Sequence, residues 1–215
     1  MKKVLSTMLM IASIAFLFSC SKDDDNPALS KTSITLYVNE TEEITYNGNG
    51  KCTWSSDNKR VADVNDGVVT AHHVGTTTIY ANNLSCKVTV KPRYTMFVEP
   101  YLGFGSSKST VKKQMSGYSI IKDESTTLNY NGRGSIEAYS YKFEDDMLKS
   151  CAFYTGLSES LDLADFLIER YIVDAIDNTS YNEQYYYMTS VDSKYTIILY
   201  LDKKGCIVMY APKKS

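Results

Sequence analysis

From Thr32 onward, apolar and polar positions alternate. Ile34, Leu36 and Val38 fall on one face and Ser33, Thr35 and Tyr37 on the other, which is the period of a strand with one buried face. Further short runs predict strands at about 43–46, 51–55, 60–64, 68–72, 76–81 and 85–91, separated by Asn47-Gly48-Asn49-Gly50, Asp57-Asn58, Asp66-Gly67 and Asn82-Asn83. Asp66-Gly67, between Val64 and Val68, predicts a type I′ hairpin turn, because that turn needs positive φ at both centres. Seven short strands with regular turn signals and no helical stretch predict a β-sandwich.

Beyond Pro92 the pattern changes. Ser106 and Ser107 are placed to cap a short helix in which Val111 and Met115 share a face, Lys112 and Lys113 lie toward the negative end of the dipole, and Gly117 follows as a stop. Strand-like runs follow at 118–122, 126–131, 137–144 and 148–155; Tyr139, Tyr141 and Phe143 alternate with Ser140, Lys142 and Glu144. A longer helix is predicted from about Ser158 to Ala175, where Leu161, Ala164, Ile168, Tyr171 and Ala175 recur at helical spacing. Three strands at 184–190, 194–202 and 206–210 complete the pattern, with Lys203-Lys204-Gly205 turning the last pair. This reads as an α+β domain: two helices on one face of an antiparallel sheet, in two halves that look like a degenerate internal repeat.

Composition sharpens the boundary at Pro92, since fifteen of the eighteen tyrosines lie beyond it. The chain of 215 residues, 43% hydrophobic and 22% charged, is that of an ordinary folded protein of one large or two small domains. Its formal charge is −2, and removal of Lys2 and Lys3 with a leader would leave 21 basic against 25 acidic residues, or −4. Neither whole-chain electrostatic binding of nucleic acid nor a strongly acidic tail is indicated. The predicted organisation is a signal segment 1–19, a disordered acidic tether 20–29, a sandwich 30–91 and an α+β domain 92–215.

The N-terminus carries Lys2 and Lys3, then an uncharged, mostly apolar run from Val4 to Phe18, which has the form of a secretory signal and is too short for a good spanning helix of about 20 residues. It ends in Leu17-Phe18-Ser19-Cys20, which resembles a bacterial lipobox. The resemblance implies cleavage before Cys20 and its acylation, and two or three acyl chains give stable anchoring. Ser21-Lys22-Asp23-Asp24-Asp25 is similar to the acidic signal after the lipidated cysteine of surface-exposed Bacteroidetes lipoproteins, which implies an outer-membrane protein facing outward; a periplasm-facing lipoprotein with a solvated spacer is the alternative.

Within the sandwich, Ser33-Ile34-Thr35-Leu36, Thr53-Trp54-Ser55-Ser56, Val61-Ala62-Asp63-Val64, Val69-Thr70-Ala71, Gly75-Thr76-Thr77-Thr78-Ile79 and Cys86-Lys87-Val88-Thr89-Val90 resemble, in order and spacing, the bacterial Ig-like group 2 (BIG2) module. This implies an immunoglobulin-like sandwich of the kind found in intimin- and invasin-type adhesins, with no shared catalytic residues. Lys59-Arg60 stands where proline is common, and His72-His73 where smaller residues are usual. In the second domain, Gly105-Ser106, a short helix and Tyr141–Phe143 faintly resemble the helix-then-sheet unit of SmpA-type lipoproteins and of β-lactamase-inhibitor proteins.

Candidate chemistry is sparse. The chain has no Gly-x-Ser-x-Gly elbow, His-Glu-x-x-His pair, phosphate-binding loop or Cys-x-x-Cys, and neighbouring His72 and His73 point to opposite strand faces, so no enzyme activity, metal or cofactor is expected. Asp145-Asp146 and Asp162/Asp165 read as solvated charge. Cys52 with Cys86, and Cys151 with Cys206, are candidate disulfides that export would permit, with buried free thiols as the other reading. Tyr185 and Tyr187 share a strand face and are candidate ligand-binding aromatics if that face is open; filling a small core is their other role.

The expected function is that of a non-catalytic, surface-anchored lipoprotein whose Ig-like spacer presents a C-terminal domain for adhesion or ligand binding. The membrane is one partner through the lipid anchor, and a protein or carbohydrate ligand the other. A carbohydrate-binding accessory protein of a surface glycan-utilisation system, and a periplasm-facing structural or inhibitor-like lipoprotein, are the alternatives.

Overall fold

The computed structural model describes residues 26–180 and 183–213. The signal segment, Cys20 and the first part of the tether lie outside the described residues. The end of the tether is structured rather than free: Leu29 bridges Tyr46 and packs on the first core. An apolar residue at the end of a charged stretch gave the chain something to bury.

The first domain is built from β1 (Ser33–Tyr37), β2 (Thr41–Glu43), β3 (Trp54–Ser56), β4 (Ala62–Asn65), β5 (Val68–Ala71), β6 (Gly75–Ala81) and β7 (Leu84–Lys91). They form two facing sheets in the orders β1-β7-β6-β3 and β2-β5-β4. The alternation in β1 does what its period requires, burying Ile34 and Leu36 against Val69, Ile79 and Val88. Asp66 and Gly67 have φ of 46° and 84°, as the hairpin between β4 and β5 demands.

The second domain holds α1 (Lys108–Gln114), β8 (Ile120–Glu124), β9 (Thr127–Asn131), β10 (Ala138–Glu144), β11 (Met147–Thr155), α2 (Ser160–Ile168), β12 (Tyr171–Ser180), β13 (Glu183–Ser190), β14 (Tyr195–Asp202) and β15 (Gly205–Pro212). All eight strands form one sheet in the order β12-β13-β14-β15-β11-β10-β9-β8. Each helix is thus followed by a four-strand meander, and the last strands of the two meanders, β11 and β15, pair antiparallel at the centre. The predicted internal repeat appears as this arrangement of two matching halves. Ser107 caps α1 by accepting from the Thr110 backbone N–H, and Val111 and Met115 are buried.

The long second helix is corrected. α2 ends at Ile168 and the chain turns straight into β12, so residues 171–175 are strand. Arg170 closes the helix by donating to the Phe166 carbonyl at 2.8 Å while its guanidinium lies 3.7 Å from the Phe166 ring centroid. The β-branched Ile172, Val173 and Ile176 favour the strand. The buried stripe of α2 is Leu163, Phe166 and Leu167; of the predicted one, Leu161 is 81% and Ile168 54% exposed, Ala164 is half-buried, and Tyr171 reaches the core only as a residue of β12.

Of the two readings of the candidate pairs, the described geometry fits the free thiols: Cys52, Cys86, Cys151 and Cys206, the four described cysteines, are unbridged. Cys52 leads into β3 and Cys86 lies in β7, with β6 between those strands. Two strand spacings are about 9.6 Å, beyond the reach of about 7 Å that a bridge allows. Cys151 and Cys206 are on adjacent strands but opposite Tyr210 and Thr155, so about four residues, or about 13 Å, separate them along the strands.

Contacts centred on Glu169 tie the two domains together. Glu169, 5% exposed at the C-terminus of α2, accepts the backbone N–H of Arg93 on both carboxylate oxygens at 3.0 and 2.9 Å and that of Tyr94 at 3.1 Å. Its own carbonyl accepts from Val74 N–H of the first domain at 2.7 Å. Arg93 in turn reaches Glu40 at 2.8 Å and lies over the Tyr37 ring, and Arg60 donates to Ser193 Oγ at 2.7 Å. The linker is therefore clamped between the domains.

Candidate functional site

The strand register sorts the second domain into two unlike faces. One face carries rows such as Tyr186, Leu199, Val208, Phe153, Tyr139 and Tyr130 side by side. Over it lie Val111 of α1, Leu163, Phe166 and Leu167 of α2, and Phe97 from the segment before α1, which together make the second core. The other face carries Tyr185, Tyr200, Ile207, Tyr154 and Ala138 in one row, and Tyr187, Ile198, Met209, Ala152 and Ser140 in the next. Apart from buried Ala152, these side chains are half-buried by one another, and both helices lie on the opposite face. An antiparallel sheet with one solvated face normally shows polar residues there. The centre of this open face is instead aromatic and aliphatic.

Its geometry favours a flat ligand. A shallow depression of about 240 Å³ lies over β10, β11, β15 and β14, lined by Ser140, Ala152, Tyr154, Ile198 and Met209, with Lys142 on its rim. Beside it the tyrosines cluster: the Tyr185 and Tyr200 ring centroids are 4.8 Å apart, and Tyr187 stands parallel to Tyr185 at 6.4 Å. Tyr200 Oη donates to Asp202 at 3.2 Å. Burial first, then the neighbouring Asp202 and Glu183 carboxylates, push the Tyr200 phenol up to about 12. Burial, Glu183 and Asp177 likewise raise Tyr185. Asp202 is held below the usual carboxylate range, chiefly by the Lys204 backbone N–H. This corner is therefore aromatic and electronegative together, able to stack on a ring and accept hydrogen bonds from its hydroxyls or amines.

The structure brings Tyr185 and Tyr187 to an open face, and it adds Tyr200, Tyr154 and the carboxylates of Glu183 and Asp202, which strand periodicity alone did not single out. Tyr200 reaches them because it lies directly opposite Tyr185 in the β13–β14 pair, a register that strand periodicity by itself does not give. The other candidates are not brought together. Cys20 lies outside the described residues, and the four described cysteines are scattered. His72 is exposed, and His73 Nδ1 is paired with the Arg60 carbonyl at 2.6 Å. Asp145 and Asp146 form the β10–β11 turn, and Asp162 and Asp165 are exposed on α2. Among the described residues no group of three or more His, Cys, Asp or Glu side chains gathers as a metal site, and no helix is long and apolar enough to cross a membrane.

No curated protein matches the chain. Residues 27–96 match the family model of the bacterial Ig-like domain (group 2), and the seven-stranded first domain described above is the fold of that match.

Proposed function

We propose that this is a lipid-anchored display protein, with acylated Cys20 in the outer membrane, the Ig-like domain as a spacer, and the C-terminal domain as a non-catalytic binding module. The observation that carries the binding role is the uncovered, apolar face of the eight-stranded sheet. Tyr185, Tyr187, Ile198 and Met209 stay partly exposed with no helix over them, and uncovered apolar patches mark interaction surfaces. The Ig-like match supports the spacer, since modules of this family recur in bacterial surface proteins. The clamp at Glu169 suits a spacer too, because it fixes the direction in which the sheet is presented.

A carbohydrate ligand is favoured by one specific feature, the tyrosine cluster flanked by Glu183 and Asp202. Aromatic faces stack on sugar rings while carboxylates accept from sugar hydroxyls. A glycan array probed with the full chain tests this reading. The expected result is binding to at least one glycan class that is lost on Tyr185→Ala and Tyr187→Ala, and binding that survives both substitutions contradicts it. Placement is tested by external protease on intact cells. Cleavage alongside a surface control is expected, whereas protection until the cells are lysed would favour the periplasm-facing alternative.

A further inference from the structure

β12 is the last strand of the sheet, ten residues long, and among the described residues no strand pairs with its outer side. An edge of this length presents a row of unpaired backbone groups, which proteins commonly shorten or cover. Two surfaces flank it. On the helix side an apolar groove of about 300 Å³ runs between α2 and β12–β14. Its rim is exposed: Leu161 81%, Ile168 54%, Val173 40% and Ile176 54%. On the open-face side the strands themselves carry charge of one sign, with Lys204 of the β14–β15 turn beside Asp202. The three strands β12, β13 and β14 contain Asp174, Asp177, Glu183 and Asp202 and no lysine or arginine. Asp174 is positioned there by Thr189, whose hydroxyl donates to it at 2.5 Å.

We propose that the outer edge of β12 accepts an extended segment of another protein, added as a ninth strand, in which apolar and basic residues alternate. Strand addition supplies main-chain hydrogen bonds, and the two-residue period of a strand sends alternate side chains to opposite faces. Apolar side chains of the added strand then cover Val173, Ile176 and the α2 rim, while its lysines or arginines lie over the carboxylates of the open face. Charge decides against a second copy of this chain as the occupant. A β12–β12 pair would gather Asp174 and Asp177 of both copies along one shared edge, four carboxylates with no lysine or arginine in either strand. The inference uses the edge and the groove, so it stands or falls separately from sugar binding on the tyrosines.

The test is fluorescence anisotropy of a labelled ten-residue peptide alternating valine and lysine, titrated with the full chain. Saturable binding is expected, weakened at least about tenfold when alternate peptide nitrogens are methylated, because methylation removes the main-chain donors and keeps every charge. Ile176→Glu and Ile168→Glu, at exposed positions that leave the core intact, should also weaken it about tenfold. Bulk attraction between opposite charges predicts the reverse for these variants, since each adds a carboxylate. Absence of binding, equal binding of the methylated peptide, or tighter binding by Ile176→Glu overturns the proposal, as does sedimentation showing a dimer that Ile176→Glu dissolves.

Discussion

Replacing Glu169 by alanine should loosen the joint between the domains and destabilise the second domain at once. In the native protein its carboxylate is 5% exposed and holds the N–H groups of Arg93 and Tyr94 at 2.9–3.1 Å, with the Arg170 guanidinium 3.7 Å away. Alanine leaves two part-buried backbone donors without their ionised acceptor, at about 1.5–3 kcal/mol each. Partial relaxation and entry of water bring the expected loss to about 3–5 kcal/mol, the range seen when one member of a buried charged group is removed. Glu169→Gln keeps one acceptor oxygen and should lose roughly half as much. By contrast, Glu40→Gln weakens the half-exposed pair with Arg93 and keeps an oxygen for the Tyr37 N–H, so a far smaller loss is expected. Urea unfolding followed by circular dichroism measures the loss. Limited trypsin digestion reads the joint, because Arg93 lies in the clamped linker and should be cut quickly only in Glu169→Ala. A stability change below about 1 kcal/mol together with unchanged cutting at Arg93 would refute the clamp.

Three further outcomes follow from the geometry. Gly67→Ala should destabilise the Ig-like domain by about 2–3 kcal/mol, because φ is +84° and the new Cβ would stand 2.4 Å from the Ile44 carbonyl oxygen; Trp54, 3.3 Å from that position and the chain's single tryptophan, reports the melt by fluorescence. Alkali should weaken the second domain. Burial raises the phenols of Tyr139, Tyr141, Tyr171 and Tyr210, so their contribution is complete below about pH 10 and declines as pH climbs from there toward the folded-state values, by at most about 1.4 kcal/mol per group per pH unit; an equal urea midpoint at pH 8 and pH 11 would contradict this. Without reductant, Cys86, Cys151 and Cys206 should resist a thiol reagent in the native protein and react, with Cys52, once it is denatured; a pair that stays unreactive in denaturant would mean a disulfide.

Much of this molecule is legible in the chain, and the exceptions have a common cause. The first domain could be read because each strand has one buried face, so period two survives in the letters, and because Asp66-Gly67 fixes a register. The stretch 158–176 could be misread because it carries two apolar stripes at helical spacing. Periodicity gives no preference between Leu161, Ala164 and Ile168, which are left outside the core, and Leu163, Phe166 and Leu167, which are buried. Interaction surfaces are apolar for a different reason from cores, and a sequence does not separate the two. The bulge between Val173 and Ala175 then breaks the alternation that would have announced β12. The tyrosines pose the same ambiguity. Tyr139, Tyr141 and Tyr210 fill the core, while Tyr185, Tyr187 and Tyr200 line the open face, and only the order of strands in the sheet assigns each to its side. Glu169 gave no signal at all, since its partners are backbone groups some 75 residues away in sequence.

An open sheet face presented to the outside of the cell can be tested on both counts, openness and outward placement, by a single labelling experiment. Ser140→Cys places a thiol on the uncovered face, opposite Ala152 and clear of both helices. A membrane-impermeant maleimide applied to intact bacteria should label this variant, made together with Cys52→Ser because Cys52 is itself half-buried, as fully as it labels the purified chain, with little labelling of the Cys52→Ser protein that keeps Ser140. Labelling that appears only after the cells are broken would contradict outward display, and labelling that fails even on the pure protein would contradict the open face.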